Sequence, residues 1–166
     1  IEANTRFTQL VLGDMESQLA GCMMGRDMVL EVIQKFGRKA VLESIQRDLF
    51  SIGGHLATPE PDKVKKALEK ADLSPARVTL FEHVMDEADA ELPPLRSFVL
   101  PAGTPKAAAL HLARTVCRRA ERSVVSLSRE SEVPELFLAY LNRLSDLLFT
   151  LARVANHRAG MVDVPW

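Results

Sequence analysis

The chain has 166 residues, of which 47% are hydrophobic and 26% are charged, with a formal net charge of −1. This length and hydrophobic content suffice for one core and are short for two, so we expect a single domain over residues 1–166. A net charge near zero excludes a general attraction to nucleic acid or to anionic membranes. The two cysteines, Cys22 and Cys117, exclude a disulfide framework and favour a reducing, cytoplasmic compartment.

The sequence shows no targeting or membrane signal. No apolar run approaches the ~20 residues that span a bilayer, and no basic stretch followed by an apolar one opens the chain. The sequence begins at Ile1 rather than at a methionine, which leaves open that a leader, a tag or another segment precedes it. Because the sequence contains no apolar run long enough to span a bilayer, we expect no membrane partner.

Apolar residues recur at intervals of three and four along most of the chain, which is typical of helices. Runs of alternating apolar and polar residues bounded by hairpin turns are nearly absent, so strands are not expected. The predicted fold is an all-α, up-and-down bundle of four or five helices. The pattern places long helices at about residues 7–24, 28–56, from 75 to before 92, from 105 onward, and 134–158. The connection over residues 59–75 carries an additional short polar helix at 63–70.

Capping residues set several of these boundaries. Ser74 and Thr104 are good N-caps, and each is followed by a proline in the first-turn position that tolerates it. Gly160 is expected to end the last helix.

The helix that begins at Pro105 carries an unusual charge pattern. Arg114, Arg118 and Glu121 share a narrow arc that borders its apolar stripe, and two arginines one turn apart repel each other by a few tenths of a kcal/mol. A solvated surface, or ion pairs with the acidic preceding helix, would explain the pair. The alternative is recognition of an anion, because a guanidinium matches the oxygens of a phosphate group. The apolar stripe consists of Leu110, Ala113, Cys117, Ala120 and Val124.

A second polar strip lies on the last helix, where Asn142, Asp146, Phe149 and Arg153 fall within one arc of about 60°. Two such strips facing each other across a cleft would hold a polar ligand between helices. Core packing is the default interpretation of Phe98, in the irregular segment before the arginine helix. The four histidines show no metal-ligand spacing, so no protein-bound metal is predicted.

Four stretches resemble the PduO-type ATP:cob(I)alamin adenosyltransferases. The likeness spans about residues 41–166, and the four motifs occur in the family's order. They are IQRDLFSIGGHLATP (residues 45–59), LPPLRSFVLPAGT (92–104), ARTVCRRAER (113–122) and YLNRLSDLLF (140–149).

The resemblance implies a five-helix bundle that assembles as a homotrimer and holds ATP and the corrinoid between subunits. It implies transfer of the 5′-deoxyadenosyl group of ATP, bound with Mg²⁺, to cob(I)alamin, which yields adenosylcobalamin and triphosphate. The corrinoid supplies the nucleophile and the protein supplies positioning and electrostatics. A cobalamin-dependent acceptor enzyme would be a further partner.

The resemblance also implies residue roles. Arg118 would bind the polyphosphate, and Glu121 and Asn142 would orient the nucleotide. Arg114 matches the family arginine that pairs across the interface with an aspartate of a neighbouring subunit. Phe98 matches the aromatic residue that displaces the lower axial base of cobalamin. The expected catalytic residues are therefore Arg118, Arg114 and Phe98. The expected corrinoid contacts are Phe98, Arg114 and Asp146.

The first 40 residues depart from the family pattern. The family opens with an ATP-binding segment of the type Tyr-Thr-Arg-Thr-Gly-Asp-Lys-Gly, of which only the stretch from Thr5 to Thr8 is similar. Matching apolar positions places the cross-interface aspartate at Gly13, and a one-residue slip places it at Asp14.

Three functional hypotheses follow from these observations. The first is an active adenosyltransferase. The second is a catalytically impaired paralogue that binds corrinoid or acts as a trimeric chaperone-like module. The third is a helical assembly domain without a small ligand, in which the arginine pair forms salt bridges with the acidic residues between 82 and 91.

Overall fold

The structure is a computed structural model that describes residues 39–58 and 73–166, with side chains described from Ser44 onward. Its helices are α1 (Lys39–Ala57), α2 (Ala76–Asp89), α3 (Pro105–Leu127) and α4 (Glu135–Arg158). Within these ranges, β structure is limited to one antiparallel bridge between Val99 and Pro165. The all-α prediction is confirmed for this part of the chain. The helices predicted at 7–24 and 63–70, and the first part of the helix predicted at 28–56, lie outside the described residues.

Helix α4 is the central helix, because it packs against both α2 and α3. Its large residues Tyr140, Leu144 and Leu148 are almost fully buried. The predicted apolar stripe of α3 is buried along its whole length. Helical spacing also predicts a buried side of α4, formed by Leu141, Leu144, Leu148, Leu151 and Ala155; four of these residues are buried, and Leu151 is only half-buried. Among the described helices, none is long and apolar enough to cross a membrane.

Small side chains let α3 and α4 approach closely. Ala113, Cys117 and Ala120 are fully buried between the helices, and the Cys117 thiol donates a hydrogen bond to the Leu141 carbonyl oxygen over 3.2 Å. Burial is the main reason that the pKa of Cys117 rises to about 12. This thiol therefore stays protonated and acts as a packing residue.

Two of the three predicted boundaries are confirmed. Thr104 caps α3 by accepting a hydrogen bond from the Ala107 amide at 3.1 Å, and Gly160 follows α4 with a φ of 70°. At α2 the prediction of Ser74 as the N-cap is wrong. The helix begins at Ala76, and Pro75 is its N-cap. The Ser74 carbonyl oxygen accepts a hydrogen bond from the Arg77 amide, which forms a turn before the helix. The Ser74 hydroxyl accepts a hydrogen bond only from the Ala76 amide and therefore does not cap the helix.

A buried polar network links α1, α2 and α4. The Tyr140 hydroxyl donates to Asp48 at 3.1 Å, and the Arg77 guanidinium lies 3.4 Å from the same carboxylate oxygen. Burial raises the pKa of Asp48, while Arg77 and the Tyr140 hydrogen bond act in the opposite direction. The network satisfies polar groups that would otherwise be buried without partners.

Residues 93–104, which we call the arch, connect α2 to α3. The Asn156 side chain of α4 holds the far end of the arch, since its amide nitrogen donates to the Ala102 carbonyl oxygen and its oxygen accepts from the Thr104 amide, both over 3.0 Å. Gly103 passes directly over this amide with a φ of 113°. A Cβ atom at this position would overlap the Asn156 side chain.

Replacing Gly103 by alanine should therefore destabilise the fold. The positive φ costs about 1–3 kcal/mol for a non-glycine residue, and the displaced Asn156 amide adds to that cost. The matched control is Gly160→Ala, where φ is also positive but a Cβ would meet nothing within 4 Å. Urea denaturation should show a larger loss of unfolding free energy for Gly103→Ala, and equal losses would contradict the assigned overlap.

Candidate functional site

The two polar strips predicted from the sequence meet in the structure. The Asn142 amide nitrogen of α4 donates a hydrogen bond to the Glu121 carboxylate of α3 over 2.9 Å. The pair bridges the two helices at the surface. The strips are thus in direct contact at this level, rather than facing each other across an open cleft.

Arg114 lies one turn from Arg118, toward the start of α3. Its guanidinium carbon lies 5.1 Å from the centre of the Phe149 ring, which is a cation–π geometry. Its Nε atom is buried and has no hydrogen-bond partner in the described part of the chain. Burial lowers the pKa of Arg114, and the charge of Arg118 lowers it further, while Asp146 opposes the shift. The site therefore keeps a desolvated cation with an open donor.

Arg118 projects into solvent and forms neither a hydrogen bond nor an ion pair with any residue in the ranges 44–58 and 73–166. Two acidic residues of the 82–91 region form ion pairs with arginines of α4. Glu82 lies 3.5 Å from Arg143, and Glu91 lies 2.7 Å from Arg158. The ion pairs that the assembly hypothesis expects for Arg114 and Arg118 are therefore not found among these residues.

Asp146 accepts a hydrogen bond from Arg143 over 3.2 Å, three residues earlier on α4. Arg143 was outside the predicted polar arc, and only its i, i+3 spacing from Asp146 signals this contact. One arginine thus joins the Asp146 carboxylate to Glu82 of α2.

Phe98 lies at the middle of the arch and is 83% exposed, so core packing is the wrong interpretation of this residue. Residues 159–166, which we call the strap, lie beside it. The Trp166 amide donates to the Phe98 carbonyl oxygen, and the Leu100 amide donates to the Val164 carbonyl oxygen. An exposed apolar surface results, formed by Leu95, Phe98, Leu100, Met161, Val162, Val164 and Trp166. Such a cluster marks a binding surface more often than scattered exposed apolar residues do.

Two clefts adjoin this surface. The first, of about 540 Å³, lies between the arch and the strap. The second, of about 390 Å³, is lined by Asp146 and Phe149. Residues 92–95 and Arg153 line both clefts, so the start of the arch forms their common wall.

Among the described residues, no group of three or more His, Cys, Asp or Glu side chains is arranged to hold a metal ion. The described site offers instead guanidinium groups, one carboxylate–amide pair and an apolar surface. This combination suits an anionic ligand beside a large apolar one.

A sequence model of the cobalamin adenosyltransferase family matches residues 11–155. The chain belongs to this family. It is 45% identical over 127 residues to the corrinoid adenosyltransferase of Bacillus subtilis, which covers 76% of this chain and 63% of that protein. It is 40% identical over 133 residues to the bovine corrinoid adenosyltransferase MMAB, covering 79% of this chain and 55% of that protein. The chain thus spans less than two thirds of the length of these relatives.

Solved structures of this family share the fold. A phenylalanine-to-alanine variant of the PduO-type ATP:corrinoid adenosyltransferase from Lactobacillus reuteri, complexed with cobalamin and ATP, superposes with a TM-score of 0.81. The two chains are 30% identical, and the match covers 98% of this chain and 86% of that one. An arginine-to-lysine variant complexed with ATP gives a TM-score of 0.77 at the same identity, covering 96% and 85%.

The expected family positions fall into two groups on this structure. Arg114, Arg118, Glu121 and Asn142 lie together at the α3–α4 seam, while Phe98 lies on the arch. Asp146 lines the second cleft. The positions Gly13 and Asp14 lie outside the described residues.

Three further residues contribute contacts that the sequence does not signal. His111 of α3 is buried, and its ring centre lies 6.1 Å from that of Phe149. Asn156 holds the arch, and Asp163 binds Arg153 over 2.7 Å. No periodicity signals these contacts, because they join segments that are distant in the chain or lack regular structure.

The buried imidazole of His111 predicts a pH dependence of stability. Its pKa is lowered from 6.5, first by burial and then by the charge of Arg114, while Asp163 opposes the shift. A lowered folded-state pKa means that the neutral ring is favoured in the fold. The resulting stabilisation is present above pH 6.5 and is lost as the pH falls through the folded-state pKa.

Melting temperatures at about pH 7.5 and about pH 5.5 test this linkage. The decrease on acidification should be larger for the native protein than for His111→Gln by about 2–4 °C. His157→Gln, which changes an exposed histidine, should behave as the native protein does. An identical decrease for His111→Gln would show that this histidine does not contribute.

Proposed function

We propose that this chain transfers the 5′-deoxyadenosyl group of ATP to cob(I)alamin, forming adenosylcobalamin and triphosphate. The observation that carries the proposal is its match, over about three quarters of its length, to proteins named corrinoid or cobalamin adenosyltransferases. A second support is the similarity of its fold to an enzyme complexed with cobalamin and ATP. The reduced corrinoid supplies an electron pair that forms the bond to C5′, and the C5′–oxygen bond breaks as triphosphate leaves.

In this proposal Arg118 binds the polyphosphate. Its guanidinium is exposed and is not neutralised by any described carboxylate, so it remains available for an anion. Negative charge grows on the leaving triphosphate, and a fixed cation beside it lowers the barrier. Mg²⁺ would arrive with ATP, coordinated mainly by phosphate oxygens and water.

Glu121 and Asn142 are proposed to orient the nucleotide. Their 2.9 Å hydrogen bond fixes both side chains near Arg118. Because the amide has a second N–H and the carboxylate has further lone pairs, each group keeps capacity for a ligand.

On the corrinoid side we propose Phe98, Arg114 and Asp146. Phe98 presents an unpacked aromatic ring, which suits displacement of the lower axial base of cobalamin. Asp146 lies on the wall of the adjoining cleft, where Arg143 fixes its carboxylate.

The proposed assembly is a homotrimer of single-domain, five-helix subunits, with active sites between subunits. The buried and unpartnered Nε atom of Arg114 supports this, because a carboxylate from a neighbouring subunit would satisfy it. The two-cysteine composition suits a reducing compartment, and we propose a cytoplasmic enzyme that supplies a cobalamin-dependent acceptor enzyme.

The test is incubation of the full chain with Mg-ATP and chemically reduced cob(I)alamin. We expect the absorption spectrum of adenosylcobalamin to develop. Isothermal titration serves as the second measurement. Corrinoid binding without ATP affinity or product would favour the impaired paralogue, for which the departure of the first 40 residues from the family pattern is the motivating observation.

A further inference from the structure

Arg153 is a buried cation whose two hydrogen-bond partners belong to different segments. It lies near the end of α4 and is only 6% exposed. Its Nε donates to the Asp163 carboxylate of the strap, and its Nη2 donates to the Pro93 carbonyl oxygen at the start of the arch, both over 2.7 Å. One guanidinium therefore joins the arch to the strap.

The strap also contacts the middle of the arch. The Trp166 amide donates to the Phe98 carbonyl oxygen over 2.9 Å, and the Leu100 amide donates to the Val164 carbonyl oxygen over 2.8 Å. Together with the Arg153 contacts, these bonds form a closed circuit. It runs from α4 through the strap to the backbone around Phe98 and back through Pro93.

The position of Phe98 depends on this circuit. Its side chain is 83% exposed, so core packing cannot fix it in place. The ring is located by its backbone, and the backbone is held by the strap. Residues 92–95 also form the common wall of the two clefts, so a shift at Pro93 changes both.

We propose that Arg153 and Asp163 are positioning residues, which act through the strap to hold Phe98 in the position that corrinoid adenosylation requires. This inference rests on the proposed function. The fork of a guanidinium allows one side chain to bind a carboxylate and a carbonyl oxygen at fixed angles, which an ammonium cannot reproduce. Without the Asp163 charge, the buried Arg153 cation loses its compensation, and the strap loses its side-chain contact with α4.

Asp163→Asn is the test variant, because it removes the charge and keeps the shape. We expect kcat for corrinoid adenosylation to fall about 10-fold, since small misplacements of a reacting group reduce rates by such factors. The KM for ATP should stay within about twofold, because the strap contacts the arch and the end of α4 rather than Arg118. Asp163→Glu, which keeps the charge, should recover most of the lost rate.

Arg158→Ala is the matched control. It breaks an ion pair of the same 2.7 Å length at the end of α4, but its partner Glu91 precedes the arch. This variant should keep kcat within about twofold of the native value. An equal loss in Arg158→Ala and Asp163→Asn would overturn the inference, because it would indicate a general effect of loosening α4.

A double-mutant cycle with Phe98→Ala separates positioning from general stability. If Asp163 acts through Phe98, the double variant should be no slower than Phe98→Ala alone, within about twofold. Multiplicative losses would overturn the inference.

Hydrogen exchange supplies a readout that needs no turnover. The amides of Leu100 and Trp166 should exchange at least about 10-fold faster in Asp163→Asn than in the native protein or in Arg158→Ala. Unchanged exchange would overturn the inference even in an active enzyme. An inactive native protein would instead refute the proposed function, so the two failures are distinguishable.

Discussion

Replacing Arg118 by alanine should lower kcat/KM for ATP by at least about 100-fold, the loss typical when one charge-stabilising donor is removed from an active site. The helical fold should persist, because the guanidinium is exposed and has no partner among the described residues. Steady-state kinetics with cob(I)alamin in excess measures the first quantity, and circular dichroism with thermal melting measures the second.

Arg122→Ala is the control for Arg118→Ala, since it removes an equal charge from an exposed position one turn further along α3. It should keep kcat/KM within about twofold of the native value. If both variants lose activity equally, the effect is one of general surface charge, and the specific assignment of Arg118 to the polyphosphate fails.

Replacing Phe98 by alanine should lower kcat for corrinoid adenosylation by about 100-fold, on the scale of a lost positioning contact at the reacting centre. ATP affinity should change little, because Phe98 lies on the arch and not at the seam that holds Arg118. Stability should change by less than about 0.5 kcal/mol, since the 83% exposed ring contributes little burial energy. Turnover, calorimetric ATP binding and urea denaturation measure these three quantities.

Phe50→Ala provides the matched control for Phe98→Ala. Phe50 is 75% exposed on α1, so this variant also removes an exposed phenyl ring. It should leave kcat within about twofold of the native value. Activity of Phe98→Ala at the native level would contradict the proposed corrinoid contact.

Local signals in the sequence predicted much of the described fold. The start of α3 followed from Thr104 and Pro105, whose capping chemistry is contained in adjacent residues. The buried faces of α3 and α4 followed from helical periodicity, because each apolar stripe has to face a neighbouring helix. The N-cap of α2 was predicted one residue too early, at Ser74 instead of Pro75, since backbone hydrogen bonds at the start of α2 decide where that helix begins.

The tertiary contacts of the site could not be predicted in the same way. The Tyr140–Asp48 hydrogen bond joins residues that are 92 positions apart, and the bond from Asn156 to Ala102 joins residues 54 positions apart. The exposure of Phe98 depends on how the arch and the strap pair. A hydrophobic residue in an irregular segment gives no periodic signal of its burial.

The polar site was predicted in composition and only partly in geometry. Helical spacing correctly grouped Arg114 with Arg118, and Asn142 with Phe149. It did not reveal that Phe149 lies under the Arg114 guanidinium, or that Asn142 binds Glu121, because spacing on one helix does not fix its rotation against another.

Adenosyl transfer can be followed directly with a labelled carbon that moves from ATP to cobalt. The full chain is mixed with Mg²⁺, cob(I)alamin and ATP that carries ¹³C at C5′, and the products are analysed by NMR and anion-exchange chromatography. We expect the label in the cobalt-bound methylene of adenosylcobalamin, with one inorganic triphosphate released per corrinoid consumed. Recovery of the label in unreacted ATP or in ADP, with unmodified corrinoid, would show that the chain does not transfer the adenosyl group.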